Sequence, residues 1–388
     1  MRIAIVEYQV PGHDLVADAL CRMAASVPGA EVTLVISPAS RERFEGLLAE
    51  RPNVTLRVGP STDPTPALRQ LAREGYGRVV LCTVERDFAA YARVPWRCPV
   101  DLLVHNTDRW FEHSVQNGWA RFSATVPPRA WLAPVARYHL KQAFLYPLQR
   151  GAVLRAVARS GGRLLVSSPA MAQELQRVRP NGMPTVLPFT VHCLPGPGTA
   201  AGGPLRLCVP GSVSAQRRDY AVLFRLLDRL PDLRGQFELD LLGRVQATEG
   251  AHPILAQVAA YRAQGFAIRQ YEAPLSNAAY DTELAQAGAV LSLARTGQAR
   301  GSRYGHTTES GTVHMAIRAG VPLLVGSSYP DLAGYEAAAL RYSTEAELEA
   351  LVRQLLTDPG FRAAAQTRAR AAAGAFAPHV WGSTLAGA

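Results

Sequence analysis

Short apolar runs recur along the chain, each bounded by Gly, Pro or charged residues. The first covers residues 3–6 (IAIV) and is followed by a Pro11-Gly12 turn and a helical pattern from about Asp14. Runs at 32–36, 54–58, 79–81 and 102–104 repeat the arrangement, with helical stretches between most of them. Residues 164–166 and 186–189 read as the last strands of this half. Short runs that are apolar throughout suit strands covered on both faces. Strands that alternate with helices predict a parallel sheet flanked by helices on both sides.

The alternation stops at residues 194–204, LPGPGTAAGGP, which carry no periodicity and read as a linker. It then restarts. Strands are predicted at 205–210, 237–242, 267–270, 290–293 and 323–325. Helices are predicted at 219–229, 254–264 and 277–287, then from about 310 to a Gly320 stop, and finally at 345–356 and 361–373. The expected organisation is one α/β domain over 1–195, a linker at 196–204, and a second α/β domain over 205–373. A terminal segment, 374–388, carries the late Trp381 and is expected to pack on something. Two doubly wound sheets would place a ligand in a cleft outside the carboxyl ends of their strands.

Composition agrees with this. The chain has 388 residues and 48% hydrophobic content, enough for two packed α/β cores. No apolar run approaches the roughly 20 residues of a membrane-spanning helix. Residues 1–8, MRIAIVEY, enter a strand directly with no secretory pattern, so a cytoplasmic location is expected. The five cysteines are odd in number and lack CxxC spacing, which fits small buried residues in a reducing compartment.

The formal charge is +10, nearly all of it from arginine, since Lys141 is the sole lysine. Its distribution is uneven. No acidic residue lies between Glu112 and Glu174, where basic residues from Arg121 to Arg163 interleave with aromatics from Trp119 to Tyr146. Through 113–173 such a surface could meet an anionic membrane, which would place the protein at the inner face of the cytoplasmic membrane. A pair of ordinary helices with a solvated basic face is the alternative. No nucleic-acid-binding signature accompanies the charge, so nucleic acid is not an expected partner.

Residues 304–325, YGHTTESGTVHMAIRAGVPLLV, read as loop, helix and strand. The loop brings Arg295, Arg300, Arg303 and His306 toward the helix start, where Ser310, Gly311 and Thr312 offer backbone N–H groups. Such a helix end favours anions. In 207–220, LCVPGSVSAQRRDY, a strand ends before Gly211, and Ser212, Ser214, Arg217 and Arg218 follow. Glycine, hydroxyls and guanidinium in that order suit a diphosphate, although alone the segment also reads as an exposed turn. In the first half, His105 and Asn106 end an apolar strand, Glu85 follows the end of another, and His13 and Asp14 follow the first. Asp14 also reads as a helix N-cap, and Asp108 lies just beyond His105. Metal and nucleophile motifs (HExxH, paired-carboxylate, GxSxG, P-loop) are missing, so no metal is expected and arginine would neutralise the diphosphate.

Residues 205–325 resemble the donor domain of GT-B-fold glycosyltransferases, nearest to the large retaining group 1 (family 4-like) enzymes that use nucleotide sugars. In the family a strand ends in Gly-Arg-Leu with a Lys four positions on; here the frame reads Gly211, Ser212, Val213 and Arg217. Arg217 takes the place of the phosphate-binding Lys, and Ser212 replaces the family's Arg. Ala316-Ile317-Arg318-Ala319-Gly320-Val321-Pro322 fits the family's Ala-Met-Ala-x-Gly-x-Pro. The paired-Glu motif is degenerate, because the family's ribose-binding Glu falls at Met315, leaving Glu309 or His314 for that contact.

The resemblance implies two Rossmann-like domains with an inter-domain cleft, the acceptor held by 1–195 and the donor by 205–373. It implies that 374–388 packs back toward the first domain. Gly211, Ser212, Arg217, Ser310, Gly311 and Thr312 would hold the diphosphate; Gly243, Arg244, Tyr271 and His314 the base and ribose; His13, Asn106 and Asp108 the acceptor side. His105, Glu85 and Glu309 would be the catalytic candidates. The implied activity is metal-independent, cofactor-free, retaining sugar transfer from a nucleoside-diphosphate sugar to a lipid-linked or envelope polysaccharide precursor. A nucleotide-sugar 2-epimerase of the same fold and a non-catalytic sugar- or nucleotide-binding protein are the alternatives.

Overall fold

The computed structural model describes residues 1–8, 13–48, 51–111, 140–180, 184–195, 204–245, 250–295 and 303–387. The chain forms two compact units. The first comprises Met1–Leu187 with Gly382–Ala388, and the second Pro188–Trp381.

The first unit is built on seven parallel strands: β1 (Arg2–Glu7), β2 (Glu31–Ile36), β3 (Val54–Val58), β4 (Arg78–Leu81), β5 (Val100–Leu103), β6 (Leu164–Val166) and β7 (Thr185–Val186), in the order β3-β2-β1-β4-β5-β6-β7. In β1, Ile3 to Glu7 are all buried, because helices cover both faces. Ile5 pairs with Leu34 of β2 on one side and Val80 of β4 on the other.

The second unit has six parallel strands: β8 (Leu205–Pro210), β9 (Phe237–Arg244), β10 (Ala267–Tyr271), β11 (Ala289–Leu291), β12 (Leu323–Gly326) and β13 (Ala339–Tyr342), ordered β10-β9-β8-β11-β12-β13. Its core joins Leu207, Val209, Leu239, Leu241 and Leu291 to Leu223 and Leu227 of the Tyr220–Asp228 helix and Leu348 and Val352 of the Glu345–Thr357 helix. In each sheet the direction of strand addition reverses next to the first strand, between β1 and β4 and between β8 and β11. At such a switch point the flanking loops diverge and leave a crevice at the carboxyl edge.

Most predicted elements form, with differences at the short ones. The run at 186–189 supplies only the end of a two-residue strand. Strand β13 (ALRY) is not evident in the sequence, because it follows a 3-10 turn, Glu336–Ala338, of helix-favouring composition. The terminal segment forms a helix, Pro378–Ala386, whose end lies in the first unit. There Asp101, fully buried in β5, accepts from Arg78 (2.9 Å) and Arg163 (2.6 Å). The same guanidinium groups donate to the carbonyls of Ala386 (3.1 Å), Thr384 (2.8 Å) and Leu385 (3.0 Å). Two arginines thus satisfy both a buried carboxylate and the free carbonyls of a helix end.

The basic run is not wholly a surface feature. Arg163 is committed to Asp101, and Arg150 lies over the Phe88 ring at 5.2 Å and donates to the Arg109 carbonyl. Residues 112–139, which hold much of the run, lie outside the described residues, as do Arg300 and most of the 196–204 linker. Leu145 and Leu148 on the described part are exposed, beside exposed Lys141. Among the described residues no helix is long and apolar enough to cross a membrane.

Candidate functional site

In the second unit the turn after β8 lies at the switch point. Gly211 adopts φ +88° and donates its N–H to the Leu242 carbonyl of β9 (2.7 Å). A Cβ on Gly243 would fall 2.3 Å from the Gly211 carbonyl oxygen, so the two strand ends touch backbone to backbone through paired glycines. Arg218 fixes the turn from the other side, donating to the carbonyls of Pro210 (2.8 Å) and Ser212 (2.6 Å). The loop is also stitched to the end of β11, by Asp219 N to Leu293 O (2.8 Å) and Arg295 N to Arg217 O (3.3 Å). Arg217 and Arg218 are neighbours with opposite roles: Arg218 is half-buried and holds backbone, whereas Arg217 is exposed. Arg244, at the end of β9, is exposed as well.

The second half of the predicted clamp begins at the same edge. The Gly311–Ala319 helix is joined to β12 by a short turn, with Gly320 in the left-handed region as its stop. Because the helix returns to the amino end of β12, it starts at the carboxyl edge. Its first N–H groups are not equally available. Ser310 donates its N–H to the Tyr329 hydroxyl (3.0 Å), and its own Oγ accepts from Thr312 N (3.3 Å). Among the described residues the Gly311 N–H has no acceptor, and a Cβ at Gly311 would meet nothing within 4 Å. Ser310 and Thr312 are buried while Gly311 is exposed. The expectation that all three present free amides is corrected: Ser310 is a helix cap and Gly311 is the open position.

Tyr329 is a site residue that sequence reasoning missed. It is buried, and its hydroxyl donates to Glu309 Oε2 (3.3 Å) while accepting from Ser310. Burial, reinforced by the Glu309 charge, pushes its phenol well above the ordinary value, so it stays a donor to the carboxylate. Met315 is buried in the helix, so that position makes no polar contact with a ribose. His314 is half-buried, and its carbonyl accepts from Thr190 (3.2 Å). Tyr271 turns its hydroxyl toward the buried Asp240 (3.4 Å), which points that group into the sheet rather than to a ligand. Arg318, in the motif that carried the family resemblance, is fully buried and bidentate on Asp281 (2.8 and 2.6 Å).

In the first unit, the carboxyl ends of β1, β4 and β5 bring together Glu7, Thr83 and His105. Thr83 Oγ1 donates to Glu7 Oε2 (2.6 Å) and lies 3.5 Å from His105 Nε2. His105 Nε2 is 2.8 Å from the Cys82 carbonyl, which can only accept, so this nitrogen carries the proton. The His13 ring packs against His105 with centroids 4.2 Å apart. Burial lowers the His13 pKa, opposed by Glu85 and Asp14 and assisted by Arg109.

Glu85 is exposed and pairs loosely with Arg109 (3.5 Å). Asn106 caps the Thr107–Phe111 helix through Arg109 N (2.9 Å), and Asp108 is buried on that helix. His13, not Asp14, occupies the N-cap of the Asp14–Ala25 helix, while Asp14 pairs with Arg43 (2.7 Å). Glu7 was overlooked in the sequence, although an acid closing the apolar run RIAIVE was its signal.

No protein-family profile matches the sequence, and no curated protein matches it. Solved structures do. The N-terminal domain of Candida albicans trehalose-6-phosphate phosphatase superposes with a TM-score of 0.59 at 10% identity, covering 99% of this chain and 95% of that one. A putative UDP-N-acetylglucosamine 2-epimerase from Listeria monocytogenes gives 0.55 at 13% identity, covering 99% and 94%. AviGT4, a glycosyltransferase of avilamycin A biosynthesis, gives 0.54 at 14% identity, covering 100% and 95%. With two parallel sheets whose order reverses beside the first strand, this chain has the GT-B glycosyltransferase fold of two Rossmann-like domains.

Proposed function

We propose that the protein is a glycosyltransferase that moves a sugar from a nucleoside-diphosphate sugar to an acceptor hydroxyl. The observation that carries this reading is the glycine-paired turn at Gly211, bolted by Arg218, with exposed Arg217 beside it at the switch point. In this reading the turn, Arg217 and the Gly311 N–H hold the diphosphate without a metal or other cofactor. Fixed donors aimed at a leaving anion lower the barrier because they need no reorganisation as charge develops. The bond from the sugar anomeric carbon to the diphosphate breaks, and a bond to the acceptor oxygen forms. The acceptor proton passes to the leaving phosphate, so no enzymatic nucleophile is required and configuration is retained. Glu309, held by Tyr329 just ahead of Gly311, takes the ribose or sugar hydroxyls in this reading. The acceptor is a lipid-linked or envelope polysaccharide precursor, supported by Lys141 and the exposed Leu145 and Leu148 on the acid-free run.

A second reading, nucleotide-sugar 2-epimerisation, is favoured by the titratable groups gathered in the first unit: Glu7, His13, Glu85 and His105. Incubation with a panel of radiolabelled nucleotide sugars separates the readings. Release of nucleoside diphosphate supports transfer, and a new isomer supports epimerisation. Binding without either product would sink both.

A further inference from the structure

We propose that Glu7 and Thr83 are positioning residues that hold His105 in a single tautomer, with Nε2–H toward the sheet and Nδ1 as the basic nitrogen. The expected effect on turnover rests on the function proposed above; the positioning does not.

Glu7 and Thr83 are each 2% exposed, at the ends of adjacent strands, so neither can trade partners with bulk water. Thr83 has one hydroxyl proton, and the 2.6 Å contact commits it to the Glu7 carboxylate, which in its ionised form can only accept. What Thr83 turns toward His105 is therefore a lone pair. The Cys82 carbonyl on the same side is also an acceptor, at 2.8 Å. Both groups near Nε2 accept, so that nitrogen is the donor and the neutral ring keeps its basic site at Nδ1. Glu7 thus sets the polarity of a three-residue chain by forbidding Thr83 to donate toward the imidazole. The His13 ring, 4.2 Å away, confines the imidazole by packing.

If Glu7 became an amide, it could donate to Thr83. The Thr83 proton would then be free to turn toward Nε2, favouring the opposite tautomer. The Cys82 carbonyl alone would resist this change.

The test uses full-length protein labelled with 15N-histidine. Long-range 1H–15N spectra report which ring nitrogen carries the proton, and loss of signals in His105→Gln and His13→Gln assigns the two rings. The wild-type protein should show a single Nε2–H form for His105. Glu7→Gln should introduce the Nδ1–H form. Thr83→Ser, whose hydroxyl stays committed to Glu7, should keep the wild-type spectrum, and adding Thr83→Val to Glu7→Gln, which leaves no hydroxyl to donate, should return His105 to the Nε2–H form set by the Cys82 carbonyl. Turnover should fall about 10- to 100-fold in kcat for Glu7→Gln, with KM for the nucleotide sugar within about twofold, as expected for a misaligned group rather than a lost binding contact.

An unchanged His105 tautomer in Glu7→Gln overturns the proposal, whatever the activity. If the double variant fails to fold, Glu7→Gln decides alone, since it changes no volume. Lack of turnover by the wild-type protein with every nucleotide sugar would refute the transferase reading only, and the ring spectra would still decide the positioning role.

Discussion

Arg218 sits where a side chain on Gly211 would have to go. A Cβ at Gly211 would fall 2.2 Å from Arg218 Nη2, and that guanidinium already bridges the carbonyls of Pro210 and Ser212. The conformation of the turn and the position of the arginine are one constraint. Gly211→Ala faces both the clash and a φ of +88°, so a destabilisation of about 1–3 kcal/mol is expected. Gly311→Val should behave oppositely, because nothing lies within 4 Å of its Cβ. Its melting temperature should stay near wild type while nucleoside-diphosphate affinity drops at least about tenfold, about 1.4 kcal/mol. Calorimetric titration alongside thermal melts checks both, and unchanged affinity in Gly311→Val would remove the helix start from the donor site.

The adjacent arginines give a sharper contrast. Arg217→Ala should cost nucleotide affinity and leave stability within about 0.5 kcal/mol, as exposed surface changes do. Arg218→Ala should lose both, because two strand-end carbonyls lose their donor. Equal effects of the two substitutions on stability would contradict the division of labour.

Acid should weaken the first unit through His13. Its folded pKa is lowered from 6.5, chiefly by burial. Below about pH 6.5 the unfolded chain takes up a proton that the folded chain refuses, so stability falls with pH from there down to the folded value. His13→Gln should flatten that part of the pH–stability curve measured by denaturant melts. An unchanged slope would assign the acid sensitivity elsewhere.

Asp240 has the reverse sign of interest. It is fully buried, one carboxylate oxygen has no hydrogen-bond partner among the described residues, and burial raises its pKa above 3.8. An acid with a raised folded pKa costs stability once pH passes its unfolded value, so the penalty is present at neutrality and absent in strong acid. Asp240→Asn should melt higher than wild type at about pH 7, with the advantage shrinking toward about pH 4. A destabilised variant at neutral pH would mean that the charge is favourably used by Arg269 or Tyr271.

Much of the fold was legible because buried parallel strands leave a strong mark: IAIV in β1 and LLV in β12 can hardly be anything else once Gly and Pro bound them. The short strand β13 left little mark, since its pairing with β12 is decided by tertiary contact rather than by its four residues. The places of Gly211, Arg217 and His105 beyond the carboxyl ends of strands were legible, because each follows a short apolar run. The site was illegible where the deciding partner is distant in sequence. Nothing in SGTVH announces that Tyr329 takes the Ser310 N–H, or that Thr312 spends its own amide on the cap. Likewise, two arginines in a row give no sign of which one faces solvent.

The clasp of Arg78 and Arg163 on the carbonyls of Thr384, Leu385 and Ala386 imposes an order on synthesis. Domains generally fold as units while the chain emerges, amino-terminal first. Here the first unit made cannot be completed first, because the carbonyls that its two arginines require arrive only after the second unit has been translated. The nascent chain must carry an open patch with Asp101 at its centre until the final helix is delivered, and that interval is when a chaperone or a protease would meet it.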